Sequence, residues 1–275
     1  MIIELKDIHF SYPTLGAESG DSHYALAGVS LRISGNETVA IVGASGSGKT
    51  TLIQLLNGLL EPTRGQVSLD GETTSYRGDF ALSWRRRVGL VFQFPEIQFF
   101  ENSVFDEIAF ALRNIGVDEV EIQKLVTSVL KELEMDDMRL AQQSPFRLSE
   151  GQKRRIAIAS VLIMDPEVFI LDEPTSALDY NGVQVIRSIV KRFQADKRTA
   201  IIASHDMDFV HSVAQRIICL ADGKIIYDGP QRQFFELKDL LTQAHLDLPR
   251  VLKIERALKE RGQLKAMTKI PHPMD

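Results

Sequence analysis

Apolar and polar residues alternate from the start of the chain. Ile3, Leu5, Ile8 and Phe10, separated by polar positions, predict a strand over residues 3–10. A second segment of this kind covers 26–33, and Gly35-Asn36 turns the chain. The polar, glycine-containing stretch between them, residues 16–24, reads as a hairpin loop. Residues 38–42 form a short apolar strand that runs into a glycine-rich loop. Helical spacing follows over 50–59, closed by Gly58 and Pro62. Residues 67–69 and 88–92 read as further short strands.

From 96 to 145 the pattern turns helical and more polar, broken at Gly116, with apolar residues three and four apart over 120–133. This predicts a separate helical layer. A helix over 149–164 precedes the bare apolar run 168–171, the mark of a strand buried on both faces. A helix at 183–193 and strands at 200–203 and 216–220 follow, and Asp222-Gly223 turns into a last strand at 224–227. Residues 234–269 look helical, with Lys253, Arg256, Lys259, Arg261 and Lys265 forming either a solvated face or a dimer contact. Strands separated by helices imply an α/β fold with a largely parallel sheet, and the antiparallel signals at both ends add a β layer. Ligands of such folds gather at the carboxyl ends of the strands.

Composition narrows the class. The 275 residues are 44% hydrophobic and 25% charged, ordinary for a globular chain that can bury its own core. The net charge of −5 argues against nucleic acid as the main partner. The single cysteine, Cys219, lies in the apolar run Ile217-Ile218-Cys219-Leu220 and reads as a buried thiol in a reducing compartment. Residues 1–6 enter a strand pattern directly, so no signal peptide is expected. No stretch approaches the ~20 apolar residues of a membrane span. If the chain serves transport, the pore belongs to other chains.

The chemistry sits at strand ends. Gly43-Ala44-Ser45-Gly46-Ser47-Gly48-Lys49-Thr50, with Thr51 next, matches the P-loop pattern between a strand and a helix. Its glycines let successive N–H groups turn inward at the positive end of a helix, where a triphosphate binds. Lys49 brings a cation to the β- and γ-phosphates, and Thr50 a hydroxyl to Mg²⁺. Residues 168–171 end in Asp172-Glu173. Two adjacent acids at the end of a buried strand need a counter-charge, which Mg²⁺ supplies. Asp172 is the expected metal partner, through water, and Glu173 the expected general base.

Leu148-Ser149-Glu150-Gly151-Gln152 resembles the signature of ABC ATPases, usually written LSGGQ. In the family's order, Tyr12 resembles the A-loop aromatic that stacks on adenine, and Gln93 the Q-loop glutamine. Ser176-Ala177-Leu178-Asp179 resembles the D-loop, and Ser204-His205-Asp206 the H-loop. Tyr12 also fits a core aromatic, Gln93 an ordinary loop residue and His205 a helix cap. The resemblance, over about residues 1–230, implies a P-loop ABC ATPase domain at 1–235. That domain would have a RecA-like parallel-sheet core, an antiparallel β layer and a helical subdomain at about 96–150. A C-terminal helical extension would occupy 236–275. It further implies ATP sandwiched between two chains, the signature of one facing the ATP of the other. Glu173, His205 and Gln93 would be catalytic, with Thr50, Gln93 and Asp172 around Mg²⁺. Asp179 would join the two sites. Glu150 departs from the pattern, because a carboxylate aimed at triphosphate is repelled. Ser149 and Gly151 are retained, so Glu150 is expected to point aside.

The stretch from Phe92-Gln93-Phe94-Pro95-Glu96 to Val104-Phe105-Asp106-Glu107-Ile108 is similar to the ATPases of energy-coupling factor (ECF) transporters, which include cobalt-uptake ATPases. This implies a prokaryotic complex at the cytoplasmic face of the membrane. Its members would be a paralogous ATPase, a membrane coupling protein and a substrate-binding membrane protein, together importing a vitamin or transition-metal ion. The run Phe92, Phe94, Ile97, Phe99, Phe100 is expected either to dock the membrane partner or to pack under the helical layer. The rival is a soluble ABC ATPase acting on nucleic acid or ribosomes. Such proteins carry a long coiled coil or two cassettes, and this chain has one cassette with a short helical insert.

Overall fold

The computed structural model describes residues 1–13, 24–94, 97–135 and 138–260. The expected hairpin loop, apart from Tyr24, lies outside the described residues, as do Pro95, Glu96 and the tail beyond Glu260.

Two sheets form the body. The strands β1 (Ile3–Phe10), β2 (Leu26–Ile33), β4 (Arg64–Leu69) and β5 (Glu72–Thr73) make an antiparallel sheet in the order β2-β1-β4-β5. The second sheet holds β3 (Thr38–Val42), β6 (Val88–Val91), β7 (Val168–Asp172), β8 (Thr199–Ala203), β9 (Arg216–Ala221) and β10 (Lys224–Pro230), in the order β10-β9-β3-β8-β7-β6. All its pairings are parallel except β10 on β9, which the Asp222-Gly223 turn makes antiparallel. Every residue of β3, β7 and β8 is buried, which explains their lack of alternation.

Ile3, Leu5, Leu26 and Val29 of the antiparallel sheet close over Val39, Ile41 and Ile170 of the parallel one. Within that core runs α1 (Lys49–Leu56). The opposite face, with Phe169, Leu171, Ala200 and Ile202, is covered by α6 (Glu150–Leu162) and α7 (Tyr180–Ala195). The helices α3 (Val104–Asn114), α4 (Glu119–Glu132) and α5 (Met138–Ala141) occupy the expected helical layer. Their buried residues join one cluster with α6 and α7, so the layer shares its core with the sheet. The helix starts follow capping chemistry: Ser103 accepts from Asp106 N–H, Asp118 from Val120 N–H, and Ser149 forms a reciprocal box with Gln152.

Two expectations change. The helix α2 (Gly78–Arg87) was not anticipated; it buries only Ala81 and Trp84 and has no side-chain cap. Trp84 anchors it by donating from Nε1 to the Leu56 carbonyl at 3.1 Å. At Gly58, where φ is +75°, a Cβ would lie 2.5 Å from the Trp84 ring, so the glycine both ends α1 and makes room. The described part of the tail is helical as expected, but in separate pieces and not as one run. It is divided into α9 (Gln231–Phe234), α10 (Lys238–Gln243) and α11 (Arg250–Glu260). Burying the adjacent Phe234 and Phe235 turns the chain inward, and Pro249, which has no N–H to donate, marks a new helix start. No described helix is long and apolar enough to cross a membrane.

Candidate active site

The strands β3, β8 and β7 lie side by side, and each delivers one piece of the site from its carboxyl end. After β3 comes the glycine loop. Gly43, Gly46 and Gly48 have φ of +149°, +80° and +102°, values that L side chains rarely adopt. A Cβ at Gly43 would meet the Leu220 carbonyl at 2.3 Å, and one at Gly48 the Ala25 carbonyl at 2.6 Å. At Gly46 a Cβ would meet nothing within 4 Å, so the loop crest faces open space. The buried Ser47 hydroxyl has no hydrogen-bond partner among the described residues. Lys49 folds back over the loop and donates from Nζ to the carbonyls of Gly43 at 2.8 Å and Ala44 at 3.0 Å. Burial lowers the Lys49 pKa, with Glu173 and Asp172 opposing the shift. Tyr12, at the rim and half exposed, reaches Thr51 Oγ1 with its hydroxyl at 3.1 Å.

The acids close β7. Asp172 and Glu173 are only 3% and 7% exposed. The Thr50 hydroxyl donates to Asp172 Oδ2 at 3.0 Å, joining the first helical turn after the glycine loop to the acid strand. Burial raises the Asp172 pKa; the Thr50 bond lowers it and Glu173 raises it further. Glu173 takes the left-handed conformation, φ +46°, with its N–H on the Ala203 carbonyl at 2.8 Å. One carboxylate oxygen lies 2.8 Å from His205 Nδ1, and the other accepts from the Ser204 hydroxyl at 3.1 Å. Asp206 caps α8 (Met207–Val213) and also accepts from Thr175 Oγ1, so the segments after β7 and β8 are tied together.

The signature residues stand apart from these groups. Leu148 is buried, and Ser149 and Gln152 bond to one another at the start of α6. Glu150 is paired with Lys153 Nζ at 2.8 Å. A Cβ at Gly151 would meet Ala177 and Leu178, which places the start of α6 beside the segment 176–179. Asp179 caps α7 through Gly182 N–H at 2.8 Å. Gln93 is half-buried, and its carbonyl accepts from Arg154.

The ABC transporter family model matches residues 26–176. An energy-coupling factor transporter ATP-binding protein EcfA2 from Caldanaerobacter subterraneus is 41% identical over 263 residues, covering 95% of this chain and 91% of its own. The solved structure of CbiO1 from Clostridium perfringens, described as part of the ABC transporter complex CbiONQ, is 33% identical with a TM-score of 0.73, covering 92% of this chain and 98% of that one. A dimeric ATP-binding cassette in a post-hydrolysis state, bound to ADP and phosphate, is 30% identical with a TM-score of 0.74, over 83% of this chain and 98% of that one.

The chain belongs to the ABC transporter ATP-binding family.

Within it the chain is an ATPase of the energy-coupling factor group. Two residues that sequence reasoning missed bind the parts of this ABC ATPase to each other. Arg154, buried on α6, donates to the carbonyls of Phe92, at 2.9 Å, and Gln93. The signature helix thus holds the Q-loop directly. No local signal singles it out: Lys153 and Arg155 stand at the same three- and four-residue spacing from the buried run Ile156 to Ala159, so only the fold shows which of the three basic residues turns inward. Glu107 on α3 is buried and accepts from the N–H groups of Phe100 at 3.0 Å and Glu101 at 2.9 Å. Burial raises its pKa, against the two backbone bonds. It clamps the loop after the Q-loop. Of the apolar run there, Phe99 is 7% exposed and packs in the helical core, whereas Ile97 is 71% exposed and Phe94 and Phe100 also stand open. Of the run expected either to dock a partner or to pack, Phe99 and the partly buried Phe92 pack, and Phe94, Ile97 and Phe100 stay open.

Proposed function

We propose that this chain binds and hydrolyses ATP at the cytoplasmic face of a prokaryotic membrane, powering uptake of a vitamin or transition-metal ion through membrane partner subunits. The observation that carries the reading is the convergence of the Lys49 loop, the Thr50–Asp172 bond and the Glu173–His205 pair at three neighbouring strand ends. The glycine loop cradles the triphosphate with backbone N–H groups and Lys49, which the phosphates draw off the Gly43 and Ala44 carbonyls. Tyr12 offers its ring to adenine. Glu173 takes a proton from the attacking water, and His205 holds the γ-phosphate.

Mg²⁺ suits the residues present. Asp172 is a buried acid that accepts from the Thr50 hydroxyl, and hard oxygen donors are what this cation takes. Thr50 and Gln93 would hold it with Asp172 through water; bound there, it would offset charge on the β- and γ-phosphates.

The signature residues bond among themselves, which supports the reading that Ser149 and Gly151 serve the ATP of a second subunit. That subunit is a paralogous ATPase, docked head to tail, with Asp179 near the shared boundary. A membrane coupling protein and a substrate-binding membrane protein complete the complex, and nucleic acid is not a partner. The test is purification of the native complex. Two different ATPase chains with membrane proteins, and ATP turnover lost on Lys49→Ala, are expected. A homodimer with full turnover and no membrane protein would remove the reading.

A further inference from the structure

Glu150 places a full negative charge at the first residue of α6. A helix start carries about half a positive charge on N–H groups that have no carbonyl within the helix. Alone, Glu150 would cancel the field that draws a triphosphate there. The adjacent basic run divides its work. Arg154 is committed to the carbonyls of Phe92 and Gln93, and Arg155 donates to the Leu133 carbonyl. Lys153 alone among the three is paired with Glu150, its Nζ 2.8 Å from Oε1. The lysine side chain is 16% exposed and the glutamate 59%. The ammonium is therefore held on a stem packed against protein, and the carboxylate comes to it.

We propose that Lys153 is a positioning residue of the signature: it draws the Glu150 carboxylate aside and offsets its charge, so that Ser149 and Gly151 can receive the γ-phosphate held by the partner subunit. This rests on the reading of the signature as one half of a composite ATP site. The pair spans one helical turn at the surface, and such pairs contribute little to stability. Its effect is on the potential met by an arriving triphosphate.

The experiment is a double-mutant cycle in the native complex, reading the half-saturating ATP concentration and kcat at several salt concentrations. Lys153→Ala is expected to raise half-saturating ATP on the order of tenfold at low salt, the factor that 1.4 kcal/mol represents. Added salt should shrink the difference, because exposed charges are screened beyond about 10 Å at 0.1 M. Lys153→Arg should restore most of the loss. In a Glu150→Gly background, Lys153→Ala should add nothing. An equal loss in both backgrounds, or none in either, overturns the inference. Gly151→Asp separates this from the composite-site reading, since a Cβ there meets its nearest neighbour at an ordinary 3.5 Å. If Gly151→Asp abolishes turnover while Lys153→Ala is silent, only the role of Lys153 fails. If Gly151→Asp turns over normally, the composite site itself fails and the inference falls with it.

Discussion

His205 Nδ1 lies 2.8 Å from Glu173 Oε1, so the two groups that the next strand ends present are already in contact. With Glu173 ionised, the imidazole donates and the carboxylate accepts. Ser204 occupies the other oxygen, and the left-handed backbone of Glu173 fixes the direction from which the carboxylate leaves the strand. A left-handed glutamate costs on the order of 1 kcal/mol or more, and such strain concentrates at functional sites. The arrangement turns the acid away from the sheet and toward the loop after β8.

The two side chains are expected to act as a unit. Glu173→Gln keeps shape and loses basicity, so ATP binding should persist while turnover falls by about 10²–10⁴, the range for one general base. His205→Ala should cost a comparable factor. The double variant should be little worse than the poorer single one, because residues that act together are not additive. Single-turnover hydrolysis in the assembled complex reads all three. Additive losses would show that the contact has no catalytic meaning.

Much of this site is written locally in the sequence. The strand before Gly43 and the strand before Asp172 are uninterrupted apolar runs because both faces are covered, and the polar residues that follow are forced to strand ends. What local pattern cannot give is which strands are neighbours. That Thr50 meets Asp172 across 122 positions depends on β8 inserting between β3 and β7. The helix α2 leaves little periodic signal because Ala81 and Trp84, and no longer apolar stripe, carry its burial. Phe99 and Phe100 are adjacent and both apolar, yet one is buried and one open, because Glu107 fixes the loop by its backbone.

Arg154 should be needed for that loop and for the coupling it implies. Removing its guanidinium leaves two carbonyls short of a charged donor, each bond worth about 1.5–3 kcal/mol. Arg154→Ala is expected to lower stability by several kcal/mol by this count, and to speed hydrogen exchange at residues 92–94. Arg154→Lys should recover part of the stability, since one ammonium cannot reproduce a forked donor. Unchanged exchange at 92–94 in a folded Arg154→Lys protein would separate the arginine from the Q-loop.

Glu107 gives a pH signature. Its folded-state pKa lies above the ordinary carboxylate value because it is buried. Below the unfolded pKa both states are protonated, and this contribution to stability is fully present. It is lost as pH rises through the folded pKa, where the buried group must charge. Glu107→Gln keeps an oxygen for the N–H groups of Phe100 and Glu101 and removes the titration. Urea midpoints measured from about pH 4 to 7 should therefore fall faster for wild type than for the variant. A wild type that gains on the variant as pH rises would reverse the assigned shift.

The contrast between Phe99 and its neighbours gives the sharpest test of docking. Phe94, Ile97 and Phe100 expose large apolar surface beside Gln93, and Phe100 is braced by Phe110 at 4.5 Å between ring centres. Exposed groups of this size in one short stretch mark an interaction surface more often than chance. Replacing Ile97 or Phe94 by Asp removes apolar contact from that surface without disturbing the core. Each variant should keep the wild-type melting temperature and ATP affinity while losing co-purification with membrane proteins. Phe99→Asp buries a charge in the helical core and should unfold the chain or lower its stability by 3 kcal/mol or more, the order expected when a buried apolar ring is lost. The two classes must separate. If Ile97→Asp and Phe94→Asp melt early, the run belongs to the fold. If they stay folded, bind ATP and still co-purify with the membrane proteins, the docking surface lies elsewhere on the molecule.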